Sequence, residues 1–442
     1  MSETLKATPR VKFIQRAALV LLILAAMVNY MDRATLAVAN PLIRQDLGLS
    51  IADMGYLLSA FLWAYAIAQL PGGAMVDKLG PRVLLALAMT LWSCAQFLGG
   101  LVQGFGQFFG ARALLGIGEA PQFPACARVV RDWFNQRERG LPTGITTNAA
   151  PYLGSAIAVP LLTILMLAFG WRTMFMGMGI AGLVVAVAWY FVYRDPTQVA
   201  LTAEENTYRT EGDPASPAAK VTFREWKLLF RFRTTWAMIL SNCGCTYMLW
   251  IYNAWLPGYL EIERHMSVRY TGWAAAIPLA WGMLGGILGG YVCDILLRRG
   301  VAPVNSRKYP AAISVLGAAA CTLGAAYVTS NAMAIVFISG ALFLLSFTGS
   351  CAWSAASVVA PANCTASIGS MMNFGGYLAA AMAPAVTGVI VQATGSFVPA
   401  LLVGALIGVA GAASWVFILA EPITAMDMDV ISPPAATHPQ VR

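Results

Sequence analysis

Apolar runs long enough to cross a membrane recur along the whole chain. The hydrocarbon core of a bilayer is about 30 Å thick, and about 20 helical residues are needed to span it. Runs of roughly that length predict an all-α membrane protein with twelve transmembrane helices. They lie at 17–41, 54–75, 83–102, 105–130, 141–168, 171–193, 235–259, 270–297, 309–328, 331–353, 365–393 and 396–420.

The longest polar stretch, residues 194–233, divides these runs into two sets of six. It carries charges of both signs and three prolines, Pro196, Pro214 and Pro217. Proline and mixed charge are typical of a connecting segment. We therefore predict an N-terminal six-helix half at 1–193, a linker at 194–233, a C-terminal half at 234–420 and a tail at 421–442.

The distribution of basic residues predicts the orientation in the membrane. Of 28 Lys and Arg residues, 22 fall in segments on the side of the N-terminus and four on the other side, while Arg33 and Arg112 fall inside spans. Cytoplasmic segments of membrane proteins are enriched in Lys and Arg. We expect both termini and the linker to be cytoplasmic, in the inner membrane of a bacterium.

Composition argues against other classes of protein. Only 11% of the residues are charged, against about 25% in soluble domains. The net charge of +8 is explained by membrane topology, so it does not indicate nucleic-acid binding. The eight cysteines lie mostly in apolar runs with no histidine beside them, and no phosphate-binding loop or nucleophile–base cluster is present. We expect no metal, no cofactor and no enzymatic activity.

A short motif occurs once in each half. Gly73-Ala-Met-Val-Asp77 follows the second span and leads to Lys78 and Arg82, while Gly290-Tyr-Val-Cys-Asp294 ends the eighth span and leads to Arg298. Both copies are Gly-x-x-x-Asp followed by basic residues, at equivalent places. This predicts two related halves of the same orientation.

The repeated motif resembles that of the major facilitator superfamily, and the resemblance covers essentially the whole chain. Finer motifs are similar to those of its anion:cation symporter branch, which includes bacterial hexonate, hexuronate, tartrate and phthalate carriers. These are Asn29-Tyr30-Met-Asp32-Arg33 in span 1, the segment from Gly55 to Gly73 in span 2 with Phe61, Tyr65 and Gln69, and Arg112-x3-Gly116-x2-Glu119-Ala-Pro121 in span 4.

Four charged residues lie inside spans, where a charge is costly and usually functional. Arg112 and Glu119 are seven residues apart and share one face of span 4. Asp32 and Arg33 point about 100° apart on span 1. Two interpretations stay open: these groups bind an anion and carry protons, or each pair is a salt bridge that holds the first half together. An arginine suits the first because it binds a carboxylate bidentately and keeps its charge.

The resemblance implies roles for particular residues. Those matching Arg33 and Arg112 help to bind the anion, and those matching Asp32 and Glu119 are linked to proton coupling. Further candidates for substrate binding are Tyr30, Tyr65, Asn373 and Tyr377. Candidates for gating or structural roles are Asp77, Arg82, Asp294 and Arg298, and we expect each aspartate to pair with basic residues or helix ends of the other half.

Two departures from the hexonate-type pattern bear on the substrate. Pro151 stands where those carriers tend to have a glutamine in span 5, and Tyr377 stands at the second asparagine of a span 11 motif. Both changes remove amides suited to hydroxyl groups. They favour a short carboxylate, an aromatic carboxylate or a sulfonate over a sugar acid.

The resulting expectation is a secondary active transporter, monomeric, that takes up a small organic anion with protons by alternating access. The alternatives are an exchanger of two anions and, with less support, a proton-antiport efflux pump. Paired arginines in the first half speak against a cationic or neutral drug as cargo.

Overall fold

The computed structural model describes residues 7–135, 138–211, 223–360, 365–419 and 422–423. The side chains of Asp77 and Asn148 lie outside the described part of the chain. Every regular element in the described residues is helical. The sequence-based prediction of an all-α protein is therefore confirmed.

The described residues contain twelve helical spans. They are α1 (Pro9–Val38), α2 (Ile51–Leu79), α3 (Pro81–Gly99), α4 (Phe105–Glu119, continued by Gln122–Trp133), α5 (150–169), α6 (171–192), α7 (Arg233–Ile262), α8 (Ala276–Arg298, preceded by Val268–Ala274), α9 (Asn305–Tyr327), α10 (Asn331–Val359), α11 (Thr365–Thr394) and α12 (Val398–Ala413). We call the face at which α1 begins the terminal face, and the other the opposite face.

Helix breaks explain why spans and continuous apolar helices differ in number. Within the described residues, nine helical stretches are long and apolar enough to cross a membrane. One of them contains both α5 and α6, which join at Gly170 with φ 83°. A positive φ suits glycine because it has no Cβ. The α4 span is interrupted between its two helices at Ala120 and Pro121, and α7 carries polar residues along its length.

The two halves repeat the same packing. In the first half α1 contacts α5, α2 contacts α4, and α3 contacts α6. In the second half α7 contacts α11, α8 contacts α10, and α9 contacts α12. Glycines lie at these crossings: a Cβ on Gly116 would come 2.3 Å from the carbonyl oxygen of Phe61, and one on Gly285 would come 2.0 Å from that of Phe343. Small residues let membrane helices approach this closely.

Three helix pairs in the described residues join the halves: α2 with α11, α5 with α8 and α1 with α7. Near the opposite face, a Cβ on Gly55 would lie 2.6 Å from the carbonyl oxygen of Pro384. Close by, Ser59 accepts a hydrogen bond from the backbone N–H of Ala385 at 3.0 Å. On the α5–α8 side, a Cβ on Gly272 would meet the side chain of Thr163. The halves are thus tightly closed toward the opposite face.

The first part of the linker is fixed to the terminal face of the first half. Its helix Ala203–Thr210 begins with a capping box between Thr202 and Glu205. Glu205 also accepts from the hydroxyl of Thr8 at 2.8 Å. The buried hydroxyl of Tyr208 donates to Glu138 at 2.5 Å and accepts from Gln15 at 3.2 Å. This helix therefore moves with the first half.

Candidate functional site

The centre of the first half contains one buried ion pair between helices. The Nε of Arg33 in α1 donates to Oε2 of Glu119 in α4 over 2.7 Å. Glu119 is completely buried and Arg33 almost so. Since water cannot solvate these charges, each depends on the other for its stability. Arg33 keeps both terminal nitrogens without a hydrogen-bond partner among the described residues.

Asp32 and Arg112 complete a cluster of two positive and two negative groups. Asp32 is fully buried, and both of its carboxylate oxygens lack a partner in the described chain. It lies within electrostatic range of Glu119 and Arg112. Arg112 is buried with its Nε and one terminal nitrogen also free of partners there. Neither Asp32–Arg33 nor Arg112–Glu119 forms an ion pair, because Arg33 pairs with Glu119 instead.

Three aromatic rings surround the guanidinium of Arg33. Its Cζ lies 4.6 Å from the ring centre of Tyr30 and 5.0 Å from those of Phe61 and Tyr65. The ring of Phe61 also lies 5.2 Å from the Cζ of Arg112, so it contacts both arginines. Cations are attracted to aromatic faces. The rings hold the two guanidiniums in place without accepting hydrogen bonds from their N–H groups.

The second half reaches this cluster through α11. The rings of Tyr65 and Tyr377 lie 4.8 Å apart. Four residues further along each helix, Asn373 donates to Oε1 of Gln69 at 3.4 Å. Because α2 and α11 run antiparallel, the two contacts follow one another along the interface between these helices. Among the described residues, no hydrogen bond joins the halves on the terminal side of Gln69 and Asn373.

A further contact crosses the centre from α5. The hydroxyl of Tyr152 donates to the hydroxyl of Ser346 in α10 at 2.7 Å. The ring lies beside two glycines of α8, and a Cβ on Gly282 would come 3.5 Å from Cε1 of Tyr152. A larger residue at Gly282 would crowd this ring. Tyr152 thus links the first half to two helices of the second.

The predicted gating residues lie at the terminal face. Arg82 donates to the carbonyl oxygen of Tyr190 from Nε and Nη2, each at 3.1 Å, and to Gln198 from Nη1 at 3.1 Å. These bonds tie α3 to α6 and the linker within the first half. Asp294 and Arg298 are exposed at the end of α8. The side chain of Asp77 lies outside the described part, so its pairing stays a prediction.

Several residues that the structure brings to the site had no role predicted from the sequence. Phe61 and Gln69 stood in the quoted span 2 motif, which was the available signal for them. Tyr152 had no signal beyond being a tyrosine in an apolar run. The sequence alone could not show that Arg33, rather than Arg112, reaches Glu119.

The cluster combines two kinds of group, unpaired guanidinium donors and buried carboxylates. Free guanidinium donors suit a carboxylate or sulfonate head group, and buried carboxylates suit protons. Within the described residues, no group of three or more His, Cys, Asp or Glu side chains is arranged to hold a metal.

The buried thiols of Cys293 and Cys351 lie 3.3 Å apart in the second half, between α8 and α10.

The described chain has twelve spans in two equivalent halves, with a buried charged cluster in the first half, and this arrangement defines a membrane transporter of the two-half, alternating-access class. The family model of the Major Facilitator Superfamily matches residues 22–384. The chain belongs to this superfamily and is an integral membrane transporter.

Comparison with known proteins identifies close relatives. The chain is 43% identical to the probable L-galactonate transporter of Escherichia coli K12, over 94% of this chain and 91% of that protein. It is 34% identical to a probable galactarate/D-glucarate transporter of Bacillus subtilis 168, over 86% and 87%. It is 33% identical to the probable sulfoacetate transporter of Cupriavidus necator H16, over 88% and 90%.

A solved structure shows the same fold at low sequence identity. The crystal structure of a bacterial homologue of the human lysosomal transporter Spinster superposes with a TM-score of 0.73. It is 18% identical and covers 94% of this chain and 96% of that one. The likeness confirms the fold that the sequence predicted.

Proposed function

We propose that this protein takes up a small organic anion together with protons, by alternating access of its two halves. The terminal face is then cytoplasmic, as the distribution of Lys and Arg favours. The membrane is the inner membrane of a bacterium, in keeping with the bacterial relatives. The protein works as a monomer, since each chain contains both halves and the whole charged centre.

The observation that carries the proposal is the geometry of Arg33. Its Nε is occupied by Glu119, whereas both terminal nitrogens have no hydrogen-bond partner among the described residues and lie among three aromatic rings. These two nitrogens form one edge of the guanidinium, which binds the two oxygens of a carboxylate or sulfonate side by side. Arg112, held by Phe61, supplies a second cation for the same anion.

The same geometry supplies a coupling mechanism. Glu119 without substrate is held by the full positive charge of Arg33. An arriving anion shares that charge and weakens its hold on the carboxylate, so Glu119 takes up a proton more readily. Asp32, which has no cationic partner within bonding distance in the described chain, provides a second proton site. Binding of anion and proton then favour each other, as symport requires.

The inter-half contacts supply the alternation. Gly55 and Ser59 contribute to closure toward the opposite face, and Tyr152 links the two halves at the centre. The contacts Tyr65–Tyr377 and Gln69–Asn373 lie between the charged centre and the terminal face. In this proposal both contacts border the path of the substrate. Rocking of the halves would separate the first set and bring the terminal ends together.

The substrate class is a small organic acid anion, carboxylate or sulfonate. The relatives are named for hexonates, aldarates and a sulfonate, so sugar acids belong in this class as well as the smaller anions that Pro151 and Tyr377 favour. What these cargoes share is an anionic head group, and this is what Arg33 and Arg112 recognise.

Counterflow exchange in proteoliposomes tests the assignment of the cargo. Vesicles are loaded with one anion, and uptake of the same labelled anion is followed without any gradient. The panel holds hexonates, aldarates, sulfoacetate, short carboxylates and aromatic carboxylates. We expect counterflow for at least one member, abolished by Arg33→Gln. Counterflow of cationic or neutral drugs with none of the anions would contradict the proposal.

A further inference from the structure

A groove opens on the membrane-facing side of the first half, away from the charged centre. It lies where the start of α1 meets the end of α6 and the linker. Its lining is largely apolar and comprises Phe13, Ile14, Ala17, Ala18, Val192, Tyr193, Arg194 and Val199. Phe13 is 73% exposed and Val192 54%. Such exposed apolar residues at a span end are in contact with the lipid.

Two guanidiniums stand at the end of this groove nearest the terminal face. Arg194 is part of the lining, and its Nη1 donates to the carbonyl oxygens of Tyr190 and Tyr193, each at 2.9 Å. Arg10 lies three and four residues before Phe13 and Ile14, on the same face of α1. Its Nη1 donates to the carbonyl oxygen of Ala200 at 2.9 Å, next to the lining residue Val199.

These bonds fix both arginines but leave donors free. In the described chain, Nε and Nη2 of each have no hydrogen-bond partner. Nη1 of Arg10 also forms an ion pair with Glu205, whose Oε2 lies 3.9 Å away. Glu205 already accepts from Thr8 and Thr202. The carboxylate of Asp195 faces Gly80, the residue just before α3. Its Oδ2 lies 3.0 Å from the position that a Cβ on Gly80 would occupy.

The arrangement has the two parts that a phospholipid needs. A lipid-exposed apolar slot lies on the membrane side, and two fixed cations lie at the level of the head groups. Basic pockets beside transmembrane helices bind anionic lipid head groups. We propose that this groove binds one anionic phospholipid, with its phosphate at Arg10 and Arg194 and the first part of an acyl chain against Ala17 and Val192.

The lipid would connect α1, α6 and the linker. Arg10 belongs to α1, Val192 to α6 and Val199 to the linker. A lipid held by all three would fasten the linker to the first half, in addition to the bonds of Tyr208 and Glu205. The inference is independent of the transported substrate, because the groove lies outside the transport path.

Native mass spectrometry of the full-length protein tests this site directly. Protein in micelles is supplied with phosphatidylglycerol or phosphatidylcholine of the same acyl chains, and with inorganic phosphate in a third sample. We expect one phosphatidylglycerol to be retained at least tenfold better than phosphatidylcholine, and no retention of free phosphate. Equal retention of the two lipids would overturn the proposal.

Matched variants distinguish lipid binding in this groove from non-specific attraction of anionic lipid to basic residues. Arg10→Gln with Arg194→Gln should remove the preference, while Arg16→Gln, which deletes an exposed charge elsewhere on α1, should keep it. Ala17→Phe fills the slot without changing charge and should also abolish retention. An equal loss in Arg16→Gln, or full retention in Ala17→Phe, would overturn the proposal. Counterflow activity confirms that each variant is folded.

Discussion

Arg33 donates its Nε to Oε2 of Glu119 over 2.7 Å, across 86 positions of sequence. Arg112, which shares a helix with Glu119, does not pair with it. The ion pair of the site therefore joins α1 to α4. Arg33 is the residue that joins the carboxylate, the aromatic rings and the proposed anion.

Arg33→Lys should weaken anion binding while preserving the fold. A lysine keeps the charge and still pairs with Glu119, but it loses the flat two-nitrogen edge that faces the anion. We expect the apparent affinity to fall at least tenfold, which corresponds to about 1.4 kcal/mol. The half-saturation constant for counterflow measures this. Arg269→Lys, an exposed arginine outside the site, is the control, and unchanged affinity in Arg33→Lys would contradict the assigned role.

Gly55→Ala should hinder closure toward the opposite face. A Cβ there would lie 2.6 Å from the carbonyl oxygen of Pro384, closer than real contacts allow. Spin labels at Gln103 and Thr329, exposed residues near the opposite face in the two halves, report the separation. We expect a larger population at long distance and slower uptake. Gly106→Ala, with nothing within 4 Å, should change neither; a normal distance distribution in Gly55→Ala would refute the closure described.

Tyr152→Phe should shift the same equilibrium by a smaller amount. The variant removes only the hydrogen bond to Ser346, worth about 1 kcal/mol, so the closed population should fall about fivefold relative to the open one. Ser346→Ala removes the same bond. The double variant should therefore resemble either single variant when measured with the same spin labels. Additive shifts would mean that the two hydroxyls act separately.

Tyr208→Phe should release the linker helix from the first half. Burial and the hydrogen bond to Glu138 raise the pKa of Tyr208 to about 12. The hydroxyl thus stays protonated and donates to Glu138 across the physiological range. Its loss should raise the rate of tryptic cleavage after Arg209 about fivefold, because local opening costs about 1 kcal/mol less. Tyr309→Phe, which alters an exposed tyrosine, is the control.

The resistance of the wild-type protein to tryptic cleavage after Arg209 should stay constant from pH 6 to 9. Cleavage of the Tyr208→Phe variant at the wild-type rate would refute this anchoring.

Much of the fold followed from the sequence because membrane spans carry their signal locally. Apolar length gave twelve spans, and the separation of runs at 168 and 171 agrees with the break at Gly170. The interruption of α4 at Ala120 and Pro121 was not predicted, since one proline in a long apolar run does not disclose the local geometry.

The candidate residues were predictable because charges inside a membrane are rare, so Asp32, Arg33, Arg112 and Glu119 stand out. Their partners were not predictable. Pairing of Arg33 with Glu119, and of Tyr152 with Ser346, depends on how helices far apart in sequence rotate and pack. The position of Phe61 between two arginines depends on the same packing.

We propose that an organic anion moves together with protons through Arg33 and Glu119. The most direct test of this proposal is uptake of the counterflow-active anion into proteoliposomes, with and without an inward proton gradient, for the wild type and Glu119→Gln. We predict accumulation only with the gradient in the wild type, and retained counterflow without accumulation in Glu119→Gln. If the gradient has no effect and only anion-for-anion exchange occurs in both proteins, the carboxylates are structural and the protein is an exchanger.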